Sequence, residues 1–497
     1  MPRLLSERWA DAPRLQPPHV NVKVLHVPFS YYPDPVGGTE VYVQTLSFYL
    51  KQAGIVSMVA APAGQNDVYE HEGLRVYRYR VNPEPNCARE LYGQGDQLAA
   101  ECFDRVLGSA QPNILHLHAF SRGVSLGIVQ AAKARRIPVV FTYHTPTATC
   151  QQGTMMKFGN SPCDGLMSVH NCARCTIHQL LGSRLPHFEH EVGNVRPVAQ
   201  KVLAAIAGSL PPALGRWLAC LNLEGNHWTA LRMTELMQLR HASTRTLFAE
   251  VDHIVAVCQW VKEVLITNGV PSRKITLSRQ GVAEEAKCGN NNVEQARVPS
   301  RHSLKMAFLG RLHPTKGVHI LIEALRLIPD VPLHLVVYGI VQDQYGSEYE
   351  AQLHRIADRD GRIRFHSPIR SSQVQSVLRG YDLLAVPSQW LETGPLVVLE
   401  AFAAGIPVIG SRLGGISELV HDGVNGVLVQ PSNPEDWAVK LRRLAEDEHE
   451  LCRLRANVCY PRTMSEVAGD MCGLYGLLAE GSNGRQSVSM PELACQR

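Results

Sequence analysis

The sequence predicts an α/β protein of two domains, each a parallel sheet with crossover helices, the first carrying an insertion. Three observations point there. The chain has 497 residues, too many for a single hydrophobic core. Short, wholly apolar runs alternate with helical patterns along most of it, as when helices cover both faces of a sheet. A polar stretch from Glu284 to Ser303, containing Gly289-Asn290-Asn291-Asn292 and Pro299-Ser300, separates two such alternations and reads as a linker.

In the first half, Val22–Val27, Val56–Ala60, Ile114–Leu117, Val139–Tyr143 and Ile254–Val257 read as strands, and Val41–Leu50 and Gln97–Leu107 as helices. The alternation breaks between about Cys150 and Arg245, which reads as an insertion. After the linker, Met306–Leu309, Leu333–Tyr338, Ile363–Phe365, Leu383–Val386 and Val408–Ile409 read as strands with helices between them. The expected boundaries are 20–285 for the first domain (insertion about 145–245) and 302–460 for the second. A helix at 461–480 is expected to pack back on the first domain, before a polar tail at 481–497.

Apolar residues make up 45% and charged residues 19%, a globular rather than a disordered balance. A net charge of +4 gives no global argument for nucleic acid. Met1 to Pro18 has no apolar signal region and no run of eighteen apolar residues occurs, so the expectation is a cytoplasmic protein with reduced thiols among its thirteen cysteines.

The second half opens with a strand, then Gly310-Arg311-Leu312-His313-Pro314-Thr315-Lys316-Gly317, then a helix from near Val318. Backbone N–H groups at such a loop favour an anion, and Arg311 and Lys316 add cations suited to a diphosphate. Further on, Glu392-Thr393-Gly394-Pro395-Leu396-Val397-Val398-Leu399-Glu400 places one carboxylate on a loop and another inside a mostly apolar helix. Glu400 can accept hydrogen bonds from both hydroxyls of a ribose, while Glu392 and the amides of Gly394 and Leu396 face a sugar. Asp358-Arg359-Asp360 follows a helical stretch and reads as a helix end, so no metal is expected in the chemistry.

Gly310-Arg311 with Lys316-Gly317, followed by Glu392 and Glu400, resembles the donor site of the family 4 glycosyltransferases. The segment Glu392 to Val429, with Gly414-Gly415 and Asn425-Gly426, is similar to that family almost throughout. Gly37-Gly38-Thr39-Glu40 resembles the family's Gly-Gly loop, and His116-Leu117-His118 its histidine loop. The likeness covers roughly 22–150 and 250–440. It implies a GT-B fold of two Rossmann-like domains facing a cleft, and sugar transfer from a nucleoside diphosphate donor with retained anomeric configuration. Arg311 and Lys316 would then hold the diphosphate, Glu400 the ribose, and Glu392 and His118 the transferred sugar. Gly37, Gly38 and Gly310 would let backbone approach the ligand. The chain departs from the family's frequent Phe-Gly at Gly394-Pro395, and proline has no N–H to offer. The expected acceptor is a glycan or lipid-linked glycan, and a sugar-nucleotide epimerase or a non-catalytic sugar-nucleotide scaffold is the rival.

Cys150, Cys163, Cys172 and Cys175 have the spacing C-x12-C-x8-C-x2-C, enough for a structural zinc or iron–sulfur site, in which His144, His170 or His178 could replace a cysteine; the alternative is a set of reduced loop thiols. Val195 to Leu223, with Arg196, Lys201, Arg216 and Trp217, reads as short helices split at Pro211-Pro212. They form either a helical subdomain or a surface for peripheral contact with the inner face of the cell membrane, the former being favoured.

Overall fold

The computed structural model describes residues 22–34, 37–182, 202–221, 225–284, 303–342, 344–358 and 360–483. The expected N-terminal segment, most of the linker, most of the polar tail and the first part of the Val195–Leu223 stretch lie outside these. The chain divides into two compact units. One holds the described chain up to Val257, Val261–Ser278 and the segment from Ala468. The other holds Cys258–Trp260 and Arg279–Val467.

The first unit is built on an eight-stranded sheet: β1 (Lys23–Val27), β2 (Val56–Ala63), β3 (Asp67–His71), β4 (Leu74–Arg80), β5 (Ile114–Leu117), β6 (Val139–Tyr143), β9 (His253–Ala256) and β10 (Ile275–Leu277). Its order is β10-β9-β6-β5-β1-β2-β4-β3, parallel except for the β3–β4 hairpin. The second unit has six parallel strands: β11 (Leu304–Arg311), β12 (Leu333–Ile340), β13 (Ile363–His366), β14 (Leu383–Val386), β15 (Val408–Ser411) and β16 (Gly426–Val429). Their order, β13-β12-β11-β14-β15-β16, is that of a doubly wound sheet, which runs outward one way, returns to the middle and runs out the other way.

Covering both faces with helices explains why the strands read as unbroken apolar runs. Along β11, Leu304, Met306 and Phe308 enter one core with Trp437, while Ala307 and Leu309 enter another with Val398 and Phe402. The insertion between β6 and β9 is helical, with Val169–Gly182, Pro212–Ala219, Asn226–Leu231 and Met233–Glu250. Ala173, Ile177, Ala204, Ala207, Met233 and Met237 form its own small core. No helix among the described residues is long and apolar enough to cross a membrane.

Four strands of these two sheets were not anticipated. β3 is short and largely exposed at the sheet edge, so it lacks an apolar run. β4, between β2 and the edge strand β3, reads Leu-Arg-Val-Tyr-Arg-Tyr-Arg, its arginines interrupting the apolar run that marks the other buried strands. β10 and β16 have only three and four residues, too short for periodicity to mark.

Gly317 joins the loop after β11 to helix Val318–Arg326, with φ of +73°, and a Cβ there would stand 1.9 Å from the Pro387 carbonyl oxygen. Gly317→Ala adds backbone strain and a backbone clash, and is expected to lower unfolding free energy by about 2–4 kcal/mol in a denaturant titration. Wild-type stability would contradict this packing.

Candidate active site

In a parallel sheet every strand ends at the same edge, and loops diverge where the winding direction reverses, leaving a crevice. In the second unit that reversal lies between β11 and β14, which pair as Met306 with Leu383 and Ala307 with Leu384. The loops leaving these two strands therefore meet. Gln389 N–H donates to the Thr315 carbonyl at 2.7 Å, and Lys316 Nζ reaches Glu392 Oε1 at 2.6 Å. Two further donors converge on that oxygen, Ser388 Oγ at 2.7 Å and Trp390 Nε1 at 2.8 Å. The Lys316 ammonium also stands 5.2 Å from the centre of the Trp390 ring. Glu392 is buried, and its charge is tolerated because three donors replace water around it.

The loop carrying Glu392 is seated on glycines. Gly415 N–H donates to the Glu392 carbonyl at 2.6 Å. A Cβ on Gly414 would approach that carbonyl to 2.8 Å, and one on Gly415 would stand 2.8 Å from the Gly394 nitrogen. Pro395 then caps helix Leu396–Ala403, where its missing N–H leaves no intrahelical bond unmade. Four residues into that helix, Glu400 is half-buried, and desolvation pushes its carboxyl up to about 7. Arg311, at the end of β11, is exposed and donates to Gln342 Oε1 at 3.3 Å.

In the first unit the winding reverses between β1 and β5, and histidines gather there. His26 on β1 is in register with His116 on β5. His118 follows β5, anchored by its N–H to the Val27 carbonyl at 2.9 Å, and His144 follows β6. His26 Nδ1 lies 3.0 Å from His118 Nε2, and His118 Nδ1 lies 3.1 Å from His144 Nε2. His116 bonds Thr142 Oγ1 at 2.6 Å and the Tyr475 hydroxyl at 2.5 Å. Burial drives all four pKa values far down, to about 3 for His26 and His144, so all four rings are neutral. His26, His116 and His118 each bring a ring nitrogen within 4.8 Å of the others, but their nitrogens are largely engaged with one another, Thr142 and Tyr475.

Nearby in the chain, the Gly37-Gly38 turn opens helix Gly38–Gln52. The buried Glu40 carboxylate braces it, accepting from Gly37 N–H at 2.8 Å and Ser30 N–H at 3.4 Å.

The sequence-predicted residues thus fall into two sets. Lys316 and Glu392 come together at the switch point of the second unit, with Gly394 on the same loop, Gly310 and Arg311 at the end of β11, and Leu396 and Glu400 on the helix that follows, and Gly37, Gly38 and His118 lie near that of the first. The four cysteines sit on the insertion. Ser388, Trp390, His26 and Tyr475 were missed, and His144 was read only as a possible stand-in for a cysteine ligand. Isolated serines, tryptophans and histidines carry no motif, and only the strand order makes them neighbours.

Residues 36–176 match the profile described as Glycosyltransferase Family 4, and residues 293–458 the one described as Glycosyl transferases group 1. A D-inositol 3-phosphate glycosyltransferase of Corynebacterium glutamicum is 35% identical over 185 residues, 35% of this chain and 43% of that one. One from Stackebrandtia nassauensis is 31% identical over 244 residues, 46% of this chain and 54% of that one. The chain spans about half the length of the curated relatives it matches. Among solved structures, sucrose-phosphate synthase from Thermosynechococcus elongatus superposes with a TM-score of 0.59 at 17% identity, over 92% of this chain and 100% of that one. Anabaena HepE in complex with UDP-glucose gives 0.54 at 16%, over 93% and 99%. At these identities the likeness establishes the fold.

The histidine string makes the first unit acid-sensitive. A ring whose folded pKa lies below its unfolded value of about 6.5 contributes stability above that pH, and loses it as pH falls toward the folded value. Between pH 6.5 and 5 the loss for His26 alone is about 2 kcal/mol. His26→Gln should flatten the fall in unfolding free energy over that window, and an unchanged slope would show that His26 is not held neutral.

Proposed function

Because the chain belongs to the family 4 glycosyltransferases of GT-B fold, we propose that it moves a sugar from a nucleoside diphosphate sugar to a glycan or lipid-linked glycan acceptor, retaining anomeric configuration. The observation that carries this reading is the Lys316–Glu392 clamp at the switch point, with Arg311 before it and Glu400 one helix away.

Each part has a chemical use. Breaking the glycosidic bond leaves a diphosphate with one more negative charge, and Lys316 and Arg311 supply cations to stabilise it. Lys316 is held in place before the ligand arrives, so little ordering remains to be done when charge develops. The three donors to Glu392 converge on Oε1, leaving Oε2 to accept from a hydroxyl of the transferred sugar. Glu400 accepts from the ribose hydroxyls. The resemblance assigns His118 to the sugar near the reacting carbon. Its neutral ring neither adds positive charge to an oxocarbenium-like centre nor repels it.

Peripheral membrane contact, consistent with a lipid-linked acceptor at the inner face of the cell membrane, is supported by the insertion. Ala204 and Ala207 pack inward, while Leu203 and Ile206 turn outward at 53% and 60% exposure, with Trp217 at 61% and Arg216 beside it. Exposed aliphatic side chains with an exposed indole and a neighbouring cation on this insertion suit the lipid–water boundary. Trp217 fluorescence should shift to the blue on adding anionic vesicles, and an unmoved spectrum would argue for a plain helical subdomain.

A thermal-shift screen against UDP, GDP, ADP and TDP and their sugar conjugates tests the donor site. One base should raise the melting temperature, and Glu400→Ala should abolish the shift. Lys316→Ala should lower turnover about a hundredfold. No shift with any nucleotide would favour a scaffold, and donor conversion without an acceptor would favour an epimerase. With its carboxyl near 7, Glu400 is largely ionised at pH 8 and largely protonated at pH 6. Nucleotide affinity measured by calorimetry should therefore rise with pH across that window, and Glu400→Gln should remove the dependence.

A further inference from the structure

Cys150, Cys163, Cys172 and Cys175 take no part in the chemistry above, and all four are free thiols of intermediate exposure. They come from three pieces of chain. Cys150 follows the turn Pro146–Ala148, its N–H bonded to the Pro146 carbonyl at 2.8 Å. Cys163 follows the small hairpin of β7 (Met156–Lys157) and β8 (Ser161–Pro162), its N–H bonded to the Met155 carbonyl at 2.8 Å. Cys172 and Cys175 stand one turn apart on helix Val169–Gly182 and so share a face. Every one of the other three acts electrostatically on Cys172. The hairpin aims the Phe158 N–H at Cys175 Sγ, 3.2 Å away. Without a metal, burial pushes the thiols of Cys163, Cys172 and Cys175 up, opposed only in part by backbone hydrogen bonds from Gly165, Ser168 and Phe158, so deprotonation of this set needs a bound cation.

The second observation is a buried cation. Arg240, on helix Met233–Glu250, is only 7% exposed. It donates through Nη2 to the Thr147 carbonyl, and its buried Nε has no hydrogen-bond partner. Among the described residues it has no carboxylate ion pair. The groups whose negative charge would favour it are Cys150 first, then Tyr143, Tyr92 and Cys172. A guanidinium does not shed its proton, and burying it without a counter-charge is costly. Four neutral thiols give it none.

We propose that the four cysteines hold a metal centre as thiolates, and that the net negative charge of this centre is the counter-ion of Arg240. With one divalent ion, four thiols release four protons to solvent and the centre carries a net charge of −2. Among the described residues no three of these sulfurs stand within 4.8 Å of one another. Zinc–sulfur bonds of ~2.3 Å hold tetrahedral ligands about 3.8 Å apart. Loading zinc therefore draws the loop inward, whereas an iron–sulfur cluster, being larger, draws it less.

The test uses the full chain purified without oxygen from cells supplied with zinc and iron. Metal is counted by plasma mass spectrometry, clusters by visible absorbance, and thiols by reaction with Ellman's reagent before and after chelation. One zinc, or one cluster, per chain is expected, with four thiols becoming reactive once it is stripped. Metal-free protein with all four thiols reactive, or a disulfide among them, would overturn the site. Because Cys172→Ser could fail to fold, Arg240→Met is the second variant, its fold checked by circular dichroism. It should weaken metal retention against a chelator about ten- to a hundredfold, with Arg240→Lys recovering most of it. Undiminished retention in Arg240→Met would overturn the counter-ion role.

Discussion

One buried carboxylate oxygen organises the loops at the switch point of the second unit. Glu392 Oε1 receives an ammonium, a hydroxyl and an indole N–H, and each donor comes from chain just after β11 or β14. The oxygen can lie so deep only because all three are present, and the three are held together only because the oxygen binds them. Gly317, Gly414 and Gly415 follow from the same demand. Two loops must approach each other so closely that a side chain at any of these positions would strike backbone. The glycine pattern in the sequence is thus a record of loop-to-loop contact as well as of backbone freedom.

The first unit solves a different problem with similar means. Its switch point holds neutral imidazoles, bonded to one another rather than to water, between a sheet edge and a helix that supplies Tyr475. On the proposed function, ionic character in one set and neutrality in the other would suit the two tasks set by cleavage of a sugar–phosphate bond. The departing diphosphate needs positive charge, and the sugar it leaves needs the absence of it.

Much of this was readable beforehand. The strands lie in doubly wound sheets covered on both faces, so each is a short apolar block, and Leu383–Val386 and Ile114–Leu117 were placed to the residue. The loop from Gly310 to Gly317 and the pair Glu392 and Glu400 stood out as candidates because a glycine-bounded loop with two cations, and a carboxylate inside an apolar helix, are visible in sequence alone. Ser388 and Trp390 did not, since their role exists only once β11 and β14 are neighbours. His26 and the place of His144 beside His118 were hidden for the same reason, the two lying 92 and 26 residues from His118. The hairpin β3–β4 escaped because β3, at the edge, keeps polar side chains and arginines interrupt β4. Arg240 escaped because a lone arginine in a helix pattern looks like surface until its burial is seen.

The row of imidazoles also has a direction. Three rings share two N–H···N bonds, so His118 donates on one side and accepts on the other, and the whole row can be polarised either way without moving a heavy atom. The unpartnered Nε2 of His26 breaks that symmetry. If His26 carried its hydrogen there, a buried donor would go unmet. Placing it on Nδ1 leaves only a bare lone pair, the smaller loss. His26 then donates to His118 Nε2, and His118 donates from Nδ1 to His144. A sugar hydroxyl that accepts a hydrogen bond from His118 must displace His144, whereas one that donates to it must displace His26. The end of the row nearest a ligand thus fixes whether the ring acts as giver or receiver.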